Sequence, residues 1–130
     1  MNTKDIGEFS ESVILSRLLS LGYAVLLPFG NNKRYDIVCE KNGKFIRGQC
    51  KTGKIKNGCV NFWACSTNGF TGEKRDYHGQ IDVFWVYCPE NRKVYEIPIG
   101  LVGKTSVSLR ITKPKNKQIK NIRIAKDFEL

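Results

Sequence analysis

Three polar residues bracket one short segment of this chain: Asp36, Gln49 and Lys51. A carboxylate, an amide oxygen and an ammonium suit a hard cation working on a phosphate. Mg²⁺ takes oxygen ligands and keeps several waters, so one or two carboxylates plus carbonyls suffice to hold it. An ammonium beside the ion can orient or deprotonate an attacking water, or stabilise charge developing on a phosphate. These residues meet only if the chain doubles back between them. Asn42-Gly43 provides the reversal, because it stands between two alternating runs and both turn residues of a two-residue hairpin need positive φ. The expected strands are Tyr35–Glu40 and Lys44–Lys51. Counting outward pairs Lys41 with Lys44, Glu40 with Phe45, Ile37 with Gly48, and Asp36 with Gln49. Directly opposed Cβ atoms lie roughly 5 Å apart, close enough to share one ion. Alternation puts Tyr35, Ile37, Cys39, Ile46 and Cys50 on an apolar face and Asp36, Gln49 and Lys51 on the other. The plainer reading of the same pattern is a solvated polar face with Asp36 paired to Arg34 or Lys51.

Other elements must hold that hairpin in place. Residues Lys4 to Leu21 read as an amphipathic helix ended by Gly22, with Ile6, Phe9, Val13, Ile14, Leu18 and Leu21 as its apolar stripe. Glu11 lies at the edge of the stripe, where a carboxylate is costly without a partner; Glu8 faces solvent. Tyr23–Leu27 is a short apolar strand, followed by the turn-rich PFGNNKR. After the hairpin, TGKIKNG reads as a basic connection and Val60–Ser66 as an alternating strand. Thr67–Gln80 is a polar, glycine-rich loop, too long to be idle in a small domain. Its Tyr77 and His78 are read as contacts outside the chemistry. Ile81–Tyr87 and Val94–Pro98 form a second hairpin across Pro89–Arg92, with Phe84, Trp85, Tyr87 and Tyr95 as packing aromatics. Asp82 interrupts that apolar run, either as a second acid near an ion or as a structural hydrogen-bonding group.

At 130 residues the chain is one domain, with a basic C-terminal segment from about 104, and it carries a formal net charge of +10. A cationic surface of this size favours phosphate backbones or anionic lipid over acidic small molecules. No apolar run spans a bilayer, and neither a signal peptide nor a lipidation motif is expected, which leaves nucleic acid. Five cysteines without Cys-x-x-Cys spacing are expected as reduced, packed thiols of an intracellular protein, in cytoplasm or nucleoid. With one histidine in the chain, a zinc site is not expected. The lysine run from Lys113 to Arg123 contains no acid and adds to the case for phosphate binding.

Four blocks in order, GEFSE at 7–11, PFGNNKRYD at 28–36, RGQCKTGK at 47–54 and YHGQIDVFWVYCPENRKVYEIP at 77–98, resemble the PD-(D/E)xK nuclease superfamily and, within it, the small intron-encoded homing endonucleases. The likeness covers about the first hundred residues. It departs from the common pattern at Tyr35, where proline often precedes the motif aspartate. It departs again at Gln49, where a second acid often stands; homing enzymes of this group are similar in carrying glutamine there. The resemblance implies an α/β fold with a restriction-endonuclease-like core, a mixed β-sheet with an N-terminal helix packed on it. It further implies a Mg²⁺-dependent, site-specific endonuclease that hydrolyses phosphodiester bonds of double-stranded DNA, with Mn²⁺ as a substitute ion. Asp36, the Gln49 side-chain oxygen and the Cys50 backbone carbonyl would hold the ion, Glu11 would join directly or through water, and Lys51 would serve the attacking water. Asn31, Lys33, Arg34, Lys54, Lys56, Arg75, Lys113, Lys115, Lys117 and Lys120 are the candidate DNA contacts. One site per chain implies a homodimer or homotetramer for cutting both strands. A Holliday junction resolvase of the same fold is the alternative enzyme, and a catalytically inactive DNA-binding module is the alternative if Gln49 abolishes metal binding.

Overall fold

The computed structural model describes residues 1–30, 32–112 and 122–130. Helix α1 runs from Thr3 to Ser20, and Asn2 caps it by accepting the Asp5 N–H at 2.9 Å. Gly22, at φ +87°, turns the chain out of the helix. Ile14 and Leu18 are buried as expected, but Phe9 and Leu21 are exposed, and Ser10 takes the inward place instead. Its hydroxyl hydrogen-bonds the Thr52 hydroxyl at 2.6 Å, which satisfies a polar group on a face read as apolar.

Five strands build the central sheet: β1 (Ala24–Leu26), β2 (Ile37–Lys41), β3 (Lys44–Thr52), β8 (Val83–Cys88) and β9 (Lys93–Pro98). Their spatial order is β1-β2-β3-β8-β9, antiparallel throughout except for the parallel pair β3 and β8. The sheet is therefore mixed, with α1 on one face. The β2–β3 hairpin keeps the counted register: Lys41 opposes Lys44, Glu40 opposes Phe45, and Ile37 opposes Gly48. Asn42 and Gly43 supply φ values of 55° and 78° at the turn. β1 is an edge strand, with Leu26 and the following Leu27 exposed.

Two cores flank the sheet. On the helix side Ile14 and Leu18 pack with Ile37, Cys39, Val83, Trp85, Tyr87 and Val94. Gly48 belongs to this side because the Trp85 ring lies where a Cβ would stand, at 2.1 Å. On the opposite side a second sheet, β4 (Lys54–Lys56), β5 (Cys59–Trp63) and β10 (Ser106–Arg110), covers Phe84, Val86 and Ile97 with Val60, Phe62, Val107 and Leu109.

Strands outside the central sheet correct four expectations. The "basic connection" TGKIKNG is strand β4 plus an Asn57-Gly58 turn at φ 53° and 73°, so a second two-residue hairpin joins β4 to β5. The expected strand Val60–Ser66 breaks at Ala64 into β5 and β6 (Cys65–Thr67). The expected loop Thr67–Gln80 holds most of a further hairpin, because β6 pairs with β7 (Lys74–Asp76). Strand β10 lies within the segment read only as basic; Val107 and Leu109 alternate inward, and its partner is β5.

Tyr35 is also corrected. It packs in the core opposite α1 and away from Ile37. Alternation fails there because β2 begins at Ile37. The ladder beyond it changes character, with the Cys50 N–H donating to the Asp36 carboxylate Oδ2 at 3.0 Å.

Candidate active site

Asp36 sits where the hairpin opens. Its own N–H donates to the Gly48 carbonyl at 2.8 Å, so backbone and side chain both tie it to β3. Burial raises the Asp36 carboxyl above its ordinary value, against the Cys50 N–H and the Lys51 charge, which favour the carboxylate. Among the described residues Asp36 makes no ion pair with Arg34 or Lys51, so the plain solvated-pair reading does not hold.

Glu11 reaches the same place from α1. It and Asp36 line one cleft of about 350 Å³ with Leu27, Pro28, Gly30, Lys33 and Tyr35. Burial raises the Glu11 carboxyl first, and the Asp36 and Glu8 charges add to the rise. A half-buried carboxylate whose ionisation is opposed by a second one makes a place that gains from a cation. The Cys50 thiol is pushed well up by burial and then by these same two charges, which places it beside them as a neutral group.

Gln49 and Lys51 project from β3 on the face away from α1, opposite Phe84 and Val86 of β8. The Gln49 amide end lies 3.5 Å from the Cys50 carbonyl oxygen, with its NH₂ drawn toward that oxygen. Turning the amide over would present Oε1 there instead, and adjacent ligands of an octahedral ion are about 3 Å apart. The oxygens of Glu11, Asp36, Gln49 and the Cys50 carbonyl are of the hard type that Mg²⁺ or Mn²⁺ takes. Among the described residues no group of three or more His, Cys, Asp or Glu side chains that could hold a metal ion is found, so a bound ion would rest also on amide, carbonyl or water oxygens.

Lys51 is held by groups the sequence did not single out. Its Nζ donates to the Cys65 carbonyl at 3.1 Å and lies 5.1 Å from the Tyr77 ring centroid. Burial lowers its pKa, and the nearby Arg34 charge lowers it further against the pull of Asp36. A lysine so placed gives up a proton more readily than one in water. Tyr77 is buried and stacks edge-on against Phe84, so it is a wall beside the site.

Arg34, read as a DNA contact, is engaged within the protein. Its guanidinium lies 3.9 Å over Tyr77 and donates to Gln80 Oε1 (2.7 Å), Ser66 Oγ (2.9 Å) and the Asp76 carbonyl (2.8 Å). It thereby ties the β6–β7 hairpin to the segment that carries Asp36. Asp82 takes the structural role: its Oδ2 accepts the Arg47 N–H at 2.8 Å, and Arg47 Nη2 reaches Oδ1 at 3.2 Å. His78 faces the Asp76 carboxylate and the Val102 carbonyl with its two ring nitrogens, each at 3.2 Å. Lys33 is exposed at the cleft, Lys54 and Lys56 on β4, and Arg75 on β7. Asn31, Lys113, Lys115, Lys117 and Lys120 lie outside the described residues.

Comparison with known proteins bears on this arrangement. A search of curated protein sequences finds no match. Among solved structures, that of a bacterial homing endonuclease, I-Ssp6803I, superposes with a TM-score of 0.79 at 22% identity, covering 99% of this chain and 89% of that one. At that identity the match speaks for the fold, a mixed sheet with an N-terminal helix. The sequence profile described as PD-(D/E)XK endonuclease matches residues 1–130, the whole length. The helix-borne Glu11, the strand-edge Asp36 and the Gln49-Cys50-Lys51 strand thus sit in a chain that belongs to the PD-(D/E)XK endonuclease family.

Proposed function

We propose that this endonuclease cuts double-stranded DNA at a specific site and depends on a divalent cation, Mg²⁺ by preference and Mn²⁺ as a substitute. The observation that carries the reading is the cleft shared by Glu11 and Asp36, two half-buried carboxylates, with the Lys51 charge close to Asp36. Asp36, the Gln49 amide oxygen and the Cys50 carbonyl would hold the ion, with Glu11 completing the set directly or through water. A divalent cation bound there supplies Lewis-acid stabilisation of the scissile phosphate and makes a water easier to deprotonate.

The chain's own residues do the rest. Lys51, held by the Cys65 carbonyl and near enough for the Asp36 charge to act on its ammonium, can orient the attacking water or offset charge on the phosphate. Lys33, at the rim of the same cleft, is placed to draw the phosphate in. Lys54, Lys56 and Arg75 extend the cationic surface, and the Lys113–Lys120 run adds charge by composition. Arg34 is better assigned as a positioning residue that fixes the β6–β7 hairpin and Tyr77. Because each chain holds one such site, cutting both strands takes at least two copies, and their symmetry would be mirrored in a roughly palindromic target.

Digestion of random plasmid libraries, followed by sequencing of the ends, tests the proposal. Ends clustered at one recurrent sequence in Mg²⁺ and absent in EDTA are expected. Unclustered ends would remove site specificity, cutting confined to four-way junctions would favour a resolvase, and cutting undiminished by EDTA would remove the cation.

A further inference from the structure

We propose that Phe70, at the tip of the β6–β7 hairpin, is a wedge that enters the DNA base stack within a few base steps of the cut. The proposal rests on the duplex-cutting function above and deepens it. Phe70 is wholly exposed, and a phenyl ring left in water forgoes the stabilisation that burial would give it. The loop that carries it is nevertheless closely built. The Asn68 carboxamide oxygen accepts the N–H groups of Phe70 (2.8 Å) and Thr71 (3.1 Å), and the Gly72 N–H donates to the Asn68 carbonyl (2.9 Å). The Asn68 N–H in turn donates to the Glu73 carbonyl at 2.8 Å. The ring is thus presented on a defined turn.

The base of the hairpin is bolted to the catalytic strands. Lys51 Nζ donates to the Cys65 carbonyl in β6, and Arg34 bonds Ser66 in β6 and the Asp76 carbonyl in β7. Phe70 stands five positions after Cys65, so the tip lies within roughly 17 Å of the group that holds Lys51. At 3.4 Å per step along one strand, that reach spans about five base steps, so a phosphate served by Lys51 and the wedge would fall in one short stretch of duplex. The flanks favour a polyanion. Lys74 and Arg75 are exposed on the returning strand between the acids Glu73 and Asp76, the Asp76 carboxylate being taken up by the His78 N–H at 2.9 Å, and Lys74 Nζ is held 5.2 Å over the half-exposed Trp63 ring. Apolar side chains carried on cationic elements enter DNA by partly unstacking one base step. A duplex already unstacked at that step spares the cost.

The test measures binding in EDTA to two short synthetic duplexes carrying the sequence recovered by the library digestion, one fully paired and one with a single mismatched pair within about five base steps of the cut. The wild type is expected to bind the mismatched duplex roughly tenfold tighter. Phe70→Ala, an exposed position whose loss leaves the fold intact, is expected to bind both alike, with Phe70→Leu retaining part of the preference. A preference undiminished in Phe70→Ala, or no preference in a wild type that binds both duplexes, overturns the wedge and leaves the nuclease reading standing. Failure of the wild type to bind either duplex overturns both.

Discussion

Two hairpins in this molecule are built on the same Asn-Gly turn, and they do different work. In β2–β3 the turn residues have φ of 55° and 78°; in β4–β5 they have 53° and 73°. Both place the paired strands in a two-residue register. The first hairpin lies between the helix and the second sheet, so its open end holds Asp36, Gln49 and Lys51 half-buried, and burial shifts Asp36 upward and Lys51 downward. The second lies at the surface: Ile55 and Val60 turn inward, while Lys54 and Lys56 stand in water. Turn chemistry therefore sets geometry alone. Reactivity comes from where polar groups are withdrawn from solvent beside one another.

The largest contrast is expected in cleavage. Asp36→Asn and Lys51→Ala should each lower the cutting rate by at least about 10²-fold, the scale of losing one charge-stabilising group at a reacting centre. Asp36→Asn should bind DNA as well as the wild type or better, since a negative charge leaves the phosphate's neighbourhood. Retention of more than roughly a tenth of wild-type cutting by either variant would remove that residue from the site. Lys54→Gln with Lys56→Gln should cut at the wild-type rate once DNA is saturating.

Next in size is a packing difference. Gly48→Ala drives a Cβ into the Trp85 ring at 2.1 Å within the core, and overpacking of this kind costs about 1–3 kcal/mol or more. Gly43→Ala meets open space and is strained only by its positive φ, at about 1 kcal/mol. Urea denaturation of both variants checks the order. If Gly43→Ala proves the more damaging, the Trp85–Gly48 contact is not what fixes this strand.

Much of the first hairpin was legible because its signals are local. The register follows from counting away from Asn42-Gly43, and the Glu11 position follows from the helical period. The same dipeptide at Asn57-Gly58 was passed over because lysines surround it, which made a strand and turn look like a basic connection. Strand β10 was missed for a similar reason, though Val107 and Leu109 alternate openly. The supports of Lys51 were not legible at all. A backbone carbonyl at Cys65 and the face of Tyr77 act by position, and any residue type supplies a carbonyl. Arg34 misled for the converse reason: a loop arginine next to the motif aspartate looks like a phosphate contact until its acceptors in the β6–β7 hairpin are seen.

A smaller effect distinguishes the second hairpin. Binding should weaken with salt at a slope near −0.9 in log K per phosphate neutralised, and replacing Lys54 and Lys56 together should flatten that slope by up to about 1.8. An unchanged slope in fluorescence-anisotropy titrations would turn β4 away from the DNA.

The smallest expected effect concerns stability without metal. The folded-state pKa of Asp36 is raised, chiefly by burial, so its contribution to stability is present below the unfolded carboxylate range and lost as pH rises through the folded value. At neutral pH the ionised group is a cost. Asp36→Asn removes that cost while its amide oxygen can still accept the Cys50 N–H. In EDTA at pH 7 the variant should melt roughly 2–5 °C above the wild type, the span of a change of order 1 kcal/mol in a domain of this size. The gap should close as pH falls below about 4, where the wild-type carboxyl is protonated in both states. Adding Mg²⁺ should reverse the order at pH 7, because an ion that binds only the folded wild type raises its melting point by mass action. A variant that melts lower than the wild type in EDTA would mean that the hydrogen bond and the Lys51 charge outweigh burial at Asp36. The carboxylate would then be stabilised by the fold itself, with no strain for a cation to relieve.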